Sequence, residues 1–284
     1  GLSVNVYQDT ATSSAVYRDP ELTASDESLA YAVSQAHNAG LRVFLIPHLL
    51  VQDRTWHALI TPQDPDHWFA TYGAVLLHYA RLAERLGVEE MTVGVELYHV
   101  VNDYPDRWRR LIRQVRQVYS GQLTYGANWG APGQPEYWQV EFWDALDFVG
   151  IQMYAELSRD HQAAVEDLVR AWERRLSDVE RFAATVDRPI VVTEVGYRSI
   201  QGAPAAPYDY GAIAPVDLEV QRAAYEAFFR AWGHRPWLRG VYWWYWEPDP
   251  NAGGPQDADY TPQNKPAEAV LRAWYRDGVL AGPP

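Results

Sequence analysis

The feature that most constrains the fold of this chain is a regular alternation of short apolar segments with longer amphipathic ones. Seven segments have the length and β-branched content of strands, and segments with helical periodicity separate most of them. Strands that alternate with helices build βαβ units, and such units form parallel sheets. The pattern therefore predicts an α/β fold of the TIM-type (β/α)8-barrel class. Seven of the eight expected strands are visible, so the barrel is expected to be incomplete.

The predicted elements extend over most of the chain. Strands are expected at Leu2–Tyr7, Leu41–Pro47, Met91–Leu97, Leu123–Asn128, Phe148–Tyr154, Pro189–Glu194 and Gly240–Trp246. Helices are expected at Asp26–Asn38, Asp66–Leu86, Pro105–Tyr119, Gln162–Thr185, Pro215–Trp232 and Pro266–Tyr275, with only a short helix in Gly130–Asp144. No linker divides the chain, so residues 1–284 are predicted to form a single (β/α)-barrel domain.

Two of the predicted strands carry a glutamate at their C-terminal end, Glu96 and Glu194. A carboxylate in a buried strand is costly, and in α/β barrels this end of the strands forms the active site. Two carboxyl groups about 5–5.5 Å apart are the apparatus with which retaining glycosidases break a glycosidic bond. One carboxyl group acts as acid and then base, while the other attacks the anomeric carbon. The alternative is that each glutamate pairs with an arginine at a strand end.

Other strand ends carry side chains that suit a sugar. The phenol of Tyr154 could donate a hydrogen bond to the nucleophilic carboxylate and hold it in place. Asn128 and Trp129 offer an amide and an indole for a sugar hydroxyl and a sugar face, and His48 could bind a further hydroxyl. The alternatives are a tyrosine of the rim, an asparagine in a turn beside a packed tryptophan, and a structural histidine.

The aromatic content is high, with 13 Trp and 19 Tyr. This is more than a core of this size holds comfortably, since buried Trp and Tyr need partners for their polar atoms. The densest run is Tyr242–Trp246, where alternation along a strand sends about half of the rings into the core. Trp246 at its end is the best candidate for a sugar-stacking platform. Tyr98, two positions after Glu96, is included among the candidate substrate-binding residues.

Composition and missing motifs exclude several classes of function. A formal net charge of −13 argues against nucleic acid or an anionic membrane as a partner. Without cysteine there are no disulfides, zinc–thiolate sites or thiol nucleophiles. Nucleotide-binding glycine motifs and the serine-hydrolase elbow do not occur, so no cofactor is expected. The acidic loop of Asp249, Asn251, Asp257 and Asp259 lacks EF-hand spacing and is interpreted as solvated.

The start of the chain shows no secretory signal. The segment Gly1–Val6 lacks a basic beginning and is interpreted as part of a strand. No apolar run is long enough for a membrane span. These features leave the compartment open.

Several of these segments together resemble the family-113 glycoside hydrolases. The resemblance is carried by Leu45–His48, Val93–Leu97, Phe148–Tyr154, Val192–Ser199, Trp246–Pro250 and Tyr260–Pro266, and it extends from about Val6 to Tyr275. That family consists of β-1,4-mannanases in the large clan of retaining (β/α)8 glycosidases. The stretch around Glu194 and the tail Asn264–Pro266 are its most specific parts.

The resemblance implies a role for each of four residues. In this resemblance, Glu96 stands where the family has its acid/base, at the end of the fourth strand. Glu194 stands where the family has its nucleophile, at the end of the seventh strand. Tyr154 resembles the hydrogen-bond partner of the nucleophile, and Trp246 resembles the platform that ends the eighth strand. In this register Leu2–Tyr7 is the second strand of the barrel, so the first βα unit is expected to be absent.

Three departures from the family pattern bear on function. A missing first unit would leave a sheet edge unpaired, which neighbouring loops, inward side chains or a second copy of the chain could cover. A homo-oligomer is therefore an open expectation, and light scattering tests it. Val95 stands before the acid/base where the clan usually has a polar residue that contacts the sugar 2-hydroxyl. Ile46 stands where relatives tend to carry lysine.

The sequence thus predicts a retaining endo-glycoside hydrolase that cleaves β-1,4-mannan or manno-oligosaccharides by double displacement. Two alternatives remain open at this point. One is a degenerate barrel that binds carbohydrate without cutting it, and the other is a related β-glucanase or xylanase, since the clan shares its chemistry across substrates.

Overall fold

The fold is built on a parallel sheet of seven strands that are neighbours in the order in which they occur in the sequence. The structure is a computed structural model that describes residues 1–130, 134–160 and 163–276. The strands are β1 (Leu2–Gln8), β2 (Phe44–Val51), β3 (Glu90–Val95), β4 (Gln122–Asn128), β5 (Val149–Gln152), β6 (Ile190–Val195) and β7 (Leu238–Trp243). Helices follow most strands, which confirms the predicted class of a (β/α) barrel with seven strands.

Seven α-helices lie in the described residues. They are α1 (Asp26–Asn38), α2 (Pro65–Leu86), α3 (Tyr98–Asp103), α4 (Pro105–Arg116), α5 (Val165–Ala183), α6 (Leu218–Trp232) and α7 (Pro266–Arg276). Local signals fix several of these ends. The helix α2 begins after Asp64, whose carboxylate accepts from the His67 N–H, and has proline in its first turn. It ends at Gly87, which has the left-handed φ of 69° that favours glycine.

The chain divides into two compact units, which we describe in turn. The first is Gly1–Gly150, and it contains β1 to β4. In it β1 pairs with β2 over its full length, from Leu2 opposite Leu45 to Gln8 opposite Val51. Its core holds a cluster of large rings. Trp68 stacks on Tyr72 with ring centroids 4.6 Å apart, and Trp108 meets Tyr72 edge-on at 5.6 Å.

The second unit begins at Ile151 and contains β6, β7 and the last three helices. Its core is also aromatic. Trp172 from α5 meets Trp232 from α6 edge-on at 5.5 Å, and Phe228 stacks on Trp232 at 5.2 Å. Trp243 from β7 stacks on Tyr225 at 4.0 Å, so part of the run Tyr242–Trp246 packs against a helix, as predicted. Burying each of these rings contributes roughly 1.5–3 kcal/mol.

The structure differs from the sequence prediction at several element ends. The helix α3 was not predicted, because a six-residue helix is too short to show a periodic apolar face. The strand β7 ends at Trp243, three residues before the predicted end at Trp246. In the segment Gly130–Asp144 two short 3-10 helices occur, Glu136–Trp138 and Trp143–Ala145, while residues 131–133 lie outside the described residues. Gln162, the predicted start of α5, also lies outside them.

Within the described residues, no helix combines the length and apolarity that crossing a membrane requires.

Candidate active site

Glu96 follows directly after β3, in the first unit, and its backbone is strained. Between Thr92 and Val95 the register of β3 against β4 shifts, which marks a bulge just before the glutamate. Glu96 itself has φ = 48°, in the left-handed region that non-glycine residues seldom occupy. Bulges and strained residues cluster at functional sites, where they change the direction of a side chain. This local geometry turns Glu96 out of the regular alternation of the strand.

Three side chains surround the carboxylate of Glu96, which is 13% exposed. The indole N–H of Trp56 donates to Oε2 at 3.0 Å, and the amide Nδ2 of Asn128 donates to Oε1 at 2.6 Å. Nε2 of His57 lies 3.5 Å from Oε2. Of these partners, only Asn128 was a candidate from the sequence. The partners shown around Glu96 are thus an indole, an amide and an imidazole, in place of the arginine pairing considered from the sequence.

This setting governs the pKa of Glu96. Burial alone would raise it, but the imidazole of His57 at 3.5 Å, together with the hydrogen bonds from Trp56 and Asn128, outweighs burial. The pKa therefore lies below its ordinary value of 4.5. Without substrate the group is an ionised acceptor at neutral pH. It is prepared to take a proton from water, and it acts as an acid only when it has been protonated.

His48 lies in β2 beside His57, with ring centroids 5.0 Å apart in an edge-to-face arrangement. Burial and the neighbouring charge of His57 lower the pKa of His48 to about 3, so its imidazole is neutral at neutral pH. Nε2 of His48 is buried and has no hydrogen-bond partner among the described residues. A neutral ring nitrogen of this kind can form a hydrogen bond with a hydroxyl group. His48 lies within β2, which continues to Val51, and not at the end of the strand as predicted, and its contact with a sugar stays a prediction.

A second carboxyl group, Glu136, lies close to this cluster and is fully buried. Its Oε1 accepts from the Tyr125 hydroxyl at 2.5 Å, and its Oε2 accepts from the Asn128 backbone N–H at 2.7 Å. Burial raises the pKa of Glu136 to about 8, and the nearby charge of Glu96 acts in the same direction. Sequence reasoning missed this residue, since no periodic pattern marks the 3-10 helix in which it lies.

Glu194 is the sixth strand's penultimate residue, in the second unit. The Tyr154 hydroxyl donates a short hydrogen bond to its Oε1, as the sequence predicted. The Met153 N–H donates to the Glu194 carbonyl at 2.7 Å, which fixes the two backbones beside this pair. The ring of Tyr154 also meets Tyr260 edge-on at 6.4 Å. The pair is therefore held through both its backbone and its aromatic ring.

Gly196 shows why no larger residue can follow this strand. A Cβ atom at that position would lie 2.3 Å from the carbonyl oxygen of Trp244, far inside van der Waals contact. The close approach is linked to a hydrogen bond from the Trp244 N–H to the Val195 carbonyl at 2.7 Å. The glycine thus lets the segment after β7 pack directly against the end of β6.

The long acidic loop after β7 is anchored by Lys265, the chain's single lysine. Its ammonium is fully buried and donates to Asp257 Oδ1 at 2.7 Å, to the Asp259 carbonyl at 2.9 Å and to Ser199 Oγ at 2.9 Å. Asp249, by contrast, accepts from the Asn251 N–H at 2.9 Å within its own turn. In the described part of the chain, no three His, Asp or Glu side chains are grouped so that they could hold a metal.

The remaining predicted residues lie in different settings. Trp246 is 56% exposed, beyond the end of β7, and so presents an open ring face. Trp129 is half-buried next to Asn128. Tyr98 begins α3, and its hydroxyl donates to Gln139 Oε1 at 2.9 Å. Tyr98 is therefore tied to the segment after β4.

Sequence reasoning missed Trp56 and His57 as well as Glu136. Trp56 and His57 belong to the loop after β2, which contains the 3-10 helix His57–Leu59. His57 belongs to no metal-binding sequence motif, and Trp56 is one of 13 tryptophans. The one available signal was that this loop follows the C-terminal end of a strand, where barrel loops carry function.

Parallel strands that alternate with helices define a chain of the (β/α)8-barrel class, whose active sites lie at the carboxyl ends of the strands. The family model of Glycoside Hydrolase Family 113 matches residues 1–265, nearly the whole chain. The chain belongs to Glycoside Hydrolase Family 113, as the sequence resemblance implied, and this membership identifies it as a hydrolase that acts on saccharides.

Solved structures agree with this assignment. A complex of a β-1,4-mannanase from the same family has a TM-score of 0.84 and 28% identity, over 96% of this chain and 86% of the other. The family's β-mannanase from Alicyclobacillus acidocaldarius, in complex with ManMIm, has a TM-score of 0.84 and 29% identity, over 96% and 85% of the two chains. Fungal β-1,4-galactanases, at 14% identity and a TM-score of 0.54, share the fold alone. No protein of curated function matches the chain by sequence.

Proposed function

We propose that the chain, as one catalytic domain, is a retaining endo-glycoside hydrolase that cleaves β-1,4-mannan or manno-oligosaccharides. The observation that carries the proposal is the hydrogen bond from Tyr154 to Glu194, at the end of a strand in a family-113 chain. A phenol that donates to one carboxylate oxygen leaves the other oxygen directed and ready to attack. The similarity to two solved β-mannanases of the family supports mannan as the substrate.

In the first step of the proposed reaction, an oxygen of Glu194 attacks the anomeric carbon and forms a glycosyl ester. The glycosidic C–O bond breaks, and Glu96 gives its proton to the departing sugar oxygen. The hydrogen bond from Tyr154 orients Glu194 for this attack. No cofactor enters this step, because the two carboxyl groups supply both the nucleophile and the proton.

In the second step, Glu96 takes a proton from water while the water oxygen attacks the anomeric carbon. The ester bond breaks, Glu194 leaves as a carboxylate, and the product keeps the β configuration. The three partners of Glu96 favour its ionised form, which is the form that this step requires. The first step needs the protonated form, so the lowered pKa favours turnover on the acidic side of neutrality.

The remaining candidates are assigned to sugar binding. The exposed indole of Trp246 and the half-buried indole of Trp129 are proposed as stacking faces for sugar rings. The neutral imidazole of His48, the Asn128 amide and the Tyr98 hydroxyl are proposed to contact sugar hydroxyls. Val95 and Ile46, where the family pattern differs, are the positions at which sugar preference is expected to diverge.

Product release from manno-, gluco- and xylo-oligosaccharides tests the proposal, with Glu194→Ala beside Glu173→Ala, an exposed glutamate of α5, as the matched control. Mannose-series products that disappear in Glu194→Ala and persist in Glu173→Ala are expected, with the β-anomer released first in NMR spectra. Retained activity in Glu194→Ala would overturn the assignment of the nucleophile. Products from gluco- or xylo-oligosaccharides alone would establish the alternative substrates, and binding without any product would establish the binding-only alternative.

A further inference from the structure

Glu136 is a buried carboxyl group to which the proposed reaction gives no part. It begins a 3-10 helix after β4, with no exposed surface, and each of its carboxyl oxygens meets a hydrogen-bond donor. A buried carboxyl group is costly to keep, so a function is the natural reason for its presence. Its contacts connect the ends of two strands, and both strands carry residues of the candidate active site.

The hydrogen bonds around Glu136 form a closed ring that includes Glu96. The Leu97 N–H, in the peptide bond that follows Glu96, donates to the Tyr125 hydroxyl oxygen at 2.5 Å. The Tyr125 hydroxyl meets Glu136 Oε1 at 2.5 Å, and the Asn128 N–H donates to Glu136 Oε2 at 2.7 Å. The Asn128 side chain then donates from Nδ2 to Glu96 Oε1 at 2.6 Å, which closes the ring.

The ring reaches Glu96 at two places, the backbone that follows it and its side-chain carboxylate. On the backbone side, the bond to Leu97 holds the peptide that follows the strained φ of 48°. On the side-chain side, Asn128 Oδ1 accepts from the Gly130 N–H at 2.7 Å, so its Nδ2 must face Glu96. Glu136 anchors both, because one of its oxygens is hydrogen-bonded to the Tyr125 hydroxyl while the other accepts from the Asn128 N–H.

The chemistry of the ring requires a carboxyl group at position 136. One oxygen accepts from the Asn128 N–H at 2.7 Å, and the other shares a hydrogen bond with the Tyr125 hydroxyl at 2.5 Å, a distance that an O–H···O bond reaches whichever group holds the proton. A glutamine would keep the size and the acceptor for the Asn128 N–H. Its NH2 group would then face the Tyr125 hydroxyl at 2.5 Å, which is too short for N–H···O.

We propose that Glu136 is a positioning residue for the acid/base Glu96, acting through Tyr125 and Asn128 to hold the Glu96 carboxyl group where it can protonate the leaving sugar. This inference rests on the proposed function. It predicts that loss of Glu136 harms the proton transfer and leaves sugar binding and nucleophilic attack largely intact.

The test compares substrates that differ in their need for a proton donor. The two substrates are an aryl β-mannotrioside with a 2,4-dinitrophenyl leaving group, which departs without protonation, and mannohexaose, whose sugar leaving group needs it. The quantity measured is kcat/KM, which reports the steps up to cleavage of the glycosidic bond. The variants are Glu136→Gln, Glu96→Ala as the reference for a lost acid, and Glu90→Gln as the matched control. Glu90 is a buried glutamate at the opposite end of β3.

In Glu96→Ala, kcat/KM for mannohexaose should fall by about 10²–10⁴-fold, with a much smaller fall for the dinitrophenyl substrate. In Glu136→Gln, the same selective fall should amount to about tenfold or more on mannohexaose, and KM should change little. In Glu90→Gln, the ratio of the two values should stay at the wild-type ratio.

A folded Glu136→Gln protein that keeps the wild-type ratio, or that loses both activities equally, overturns the inference. If Glu136→Gln does not reach the wild-type circular dichroism spectrum, Tyr125→Phe decides, since it removes the same link of the ring from the other side. A wild-type protein without turnover, or a Glu96→Ala variant as active as wild type, overturns the proposed function itself. These outcomes are distinct from an unchanged ratio in Glu136→Gln.

Discussion

The Tyr154 hydroxyl donates a hydrogen bond to Oε1 of Glu194, and the Met153 N–H holds the backbone of the same glutamate at 2.7 Å. A phenol and a carboxylate at the ends of two parallel strands are thus fixed relative to each other by both side-chain and main-chain bonds. A hydrogen bond to a charged group is worth about 1.5–3 kcal/mol. That is enough to influence how often Glu194 adopts the orientation from which it can attack.

Tyr154→Phe should lower kcat on mannohexaose by about 10- to 150-fold, because losing a hydrogen bond worth about 1.5–3 kcal/mol changes the rate by that factor. KM should change much less, since the phenol acts on the nucleophile. Steady-state kinetics check this expectation. The matched control is Tyr208→Phe, whose hydroxyl donates to Glu156 Oε1 at 2.9 Å on the exposed surface. An equal loss in both variants would contradict the role given to Tyr154.

Trp56→Phe should move the basic limb of the pH profile of kcat/KM to higher pH. The Trp56 N–H stabilises ionised Glu96, and its removal raises the pKa of Glu96, so the protonated acid persists further up the pH scale. The shift should be up to about one pH unit. Trp274→Phe, which removes an indole bond of 3.0 Å to Glu226, should leave the limb in place. A limb that moves to lower pH in Trp56→Phe would refute the assignment.

The free energy of unfolding should fall as pH rises from about 4.5 to about 8, the range between the ordinary pKa of a glutamate and the raised pKa of Glu136. Its pKa is about 8 in the folded protein, above the ordinary 4.5, so the folded state holds a proton that the unfolded state has released. Its contribution to stability is complete below about pH 4.5 and is lost as pH rises through about 8. Glu136→Gln cannot titrate and should lack this fall. Urea unfolding at pH 5 and pH 8 measures it, with Glu90→Gln expected to behave like the wild type.

Lys265→Met should destabilise the loop after β7. The buried ammonium holds Asp257, the Asp259 carbonyl and Ser199 together, and removing one partner of such a pair leaves an uncompensated charge. The expected loss in the free energy of unfolding is roughly 3 kcal/mol. The double variant Lys265→Met with Asp257→Asn should lose less, because no charge is left unpaired. Equal losses in the single and double variants would show that the ion pair adds nothing.

How much could be predicted from the sequence depended on how local each signal is. The helix Asp26–Asn38 was predicted with the observed bounds from its amphipathic pattern, and in the structure the Ser25 side chain caps its start. Glu96 and Glu194 were found because each ends a buried apolar run. Trp246 was predicted to end β7, yet that strand ends at Trp243, since an aromatic run does not show where pairing between strands stops.

The sequence by itself determined the alternation of strands and helices, the family and the two glutamates at strand ends. These rest on residue periodicity and on motifs of a few neighbouring residues, which are properties of short stretches of chain. Only the tertiary structure decided what surrounds Glu96: Trp56 and His57 come from a loop some 40 positions earlier, and Glu136 lies 40 positions later. Such partners depend on how loops fold over the sheet. A hydrogen bond requires only that two groups are close in space, and groups that are close in space can be far apart in the sequence.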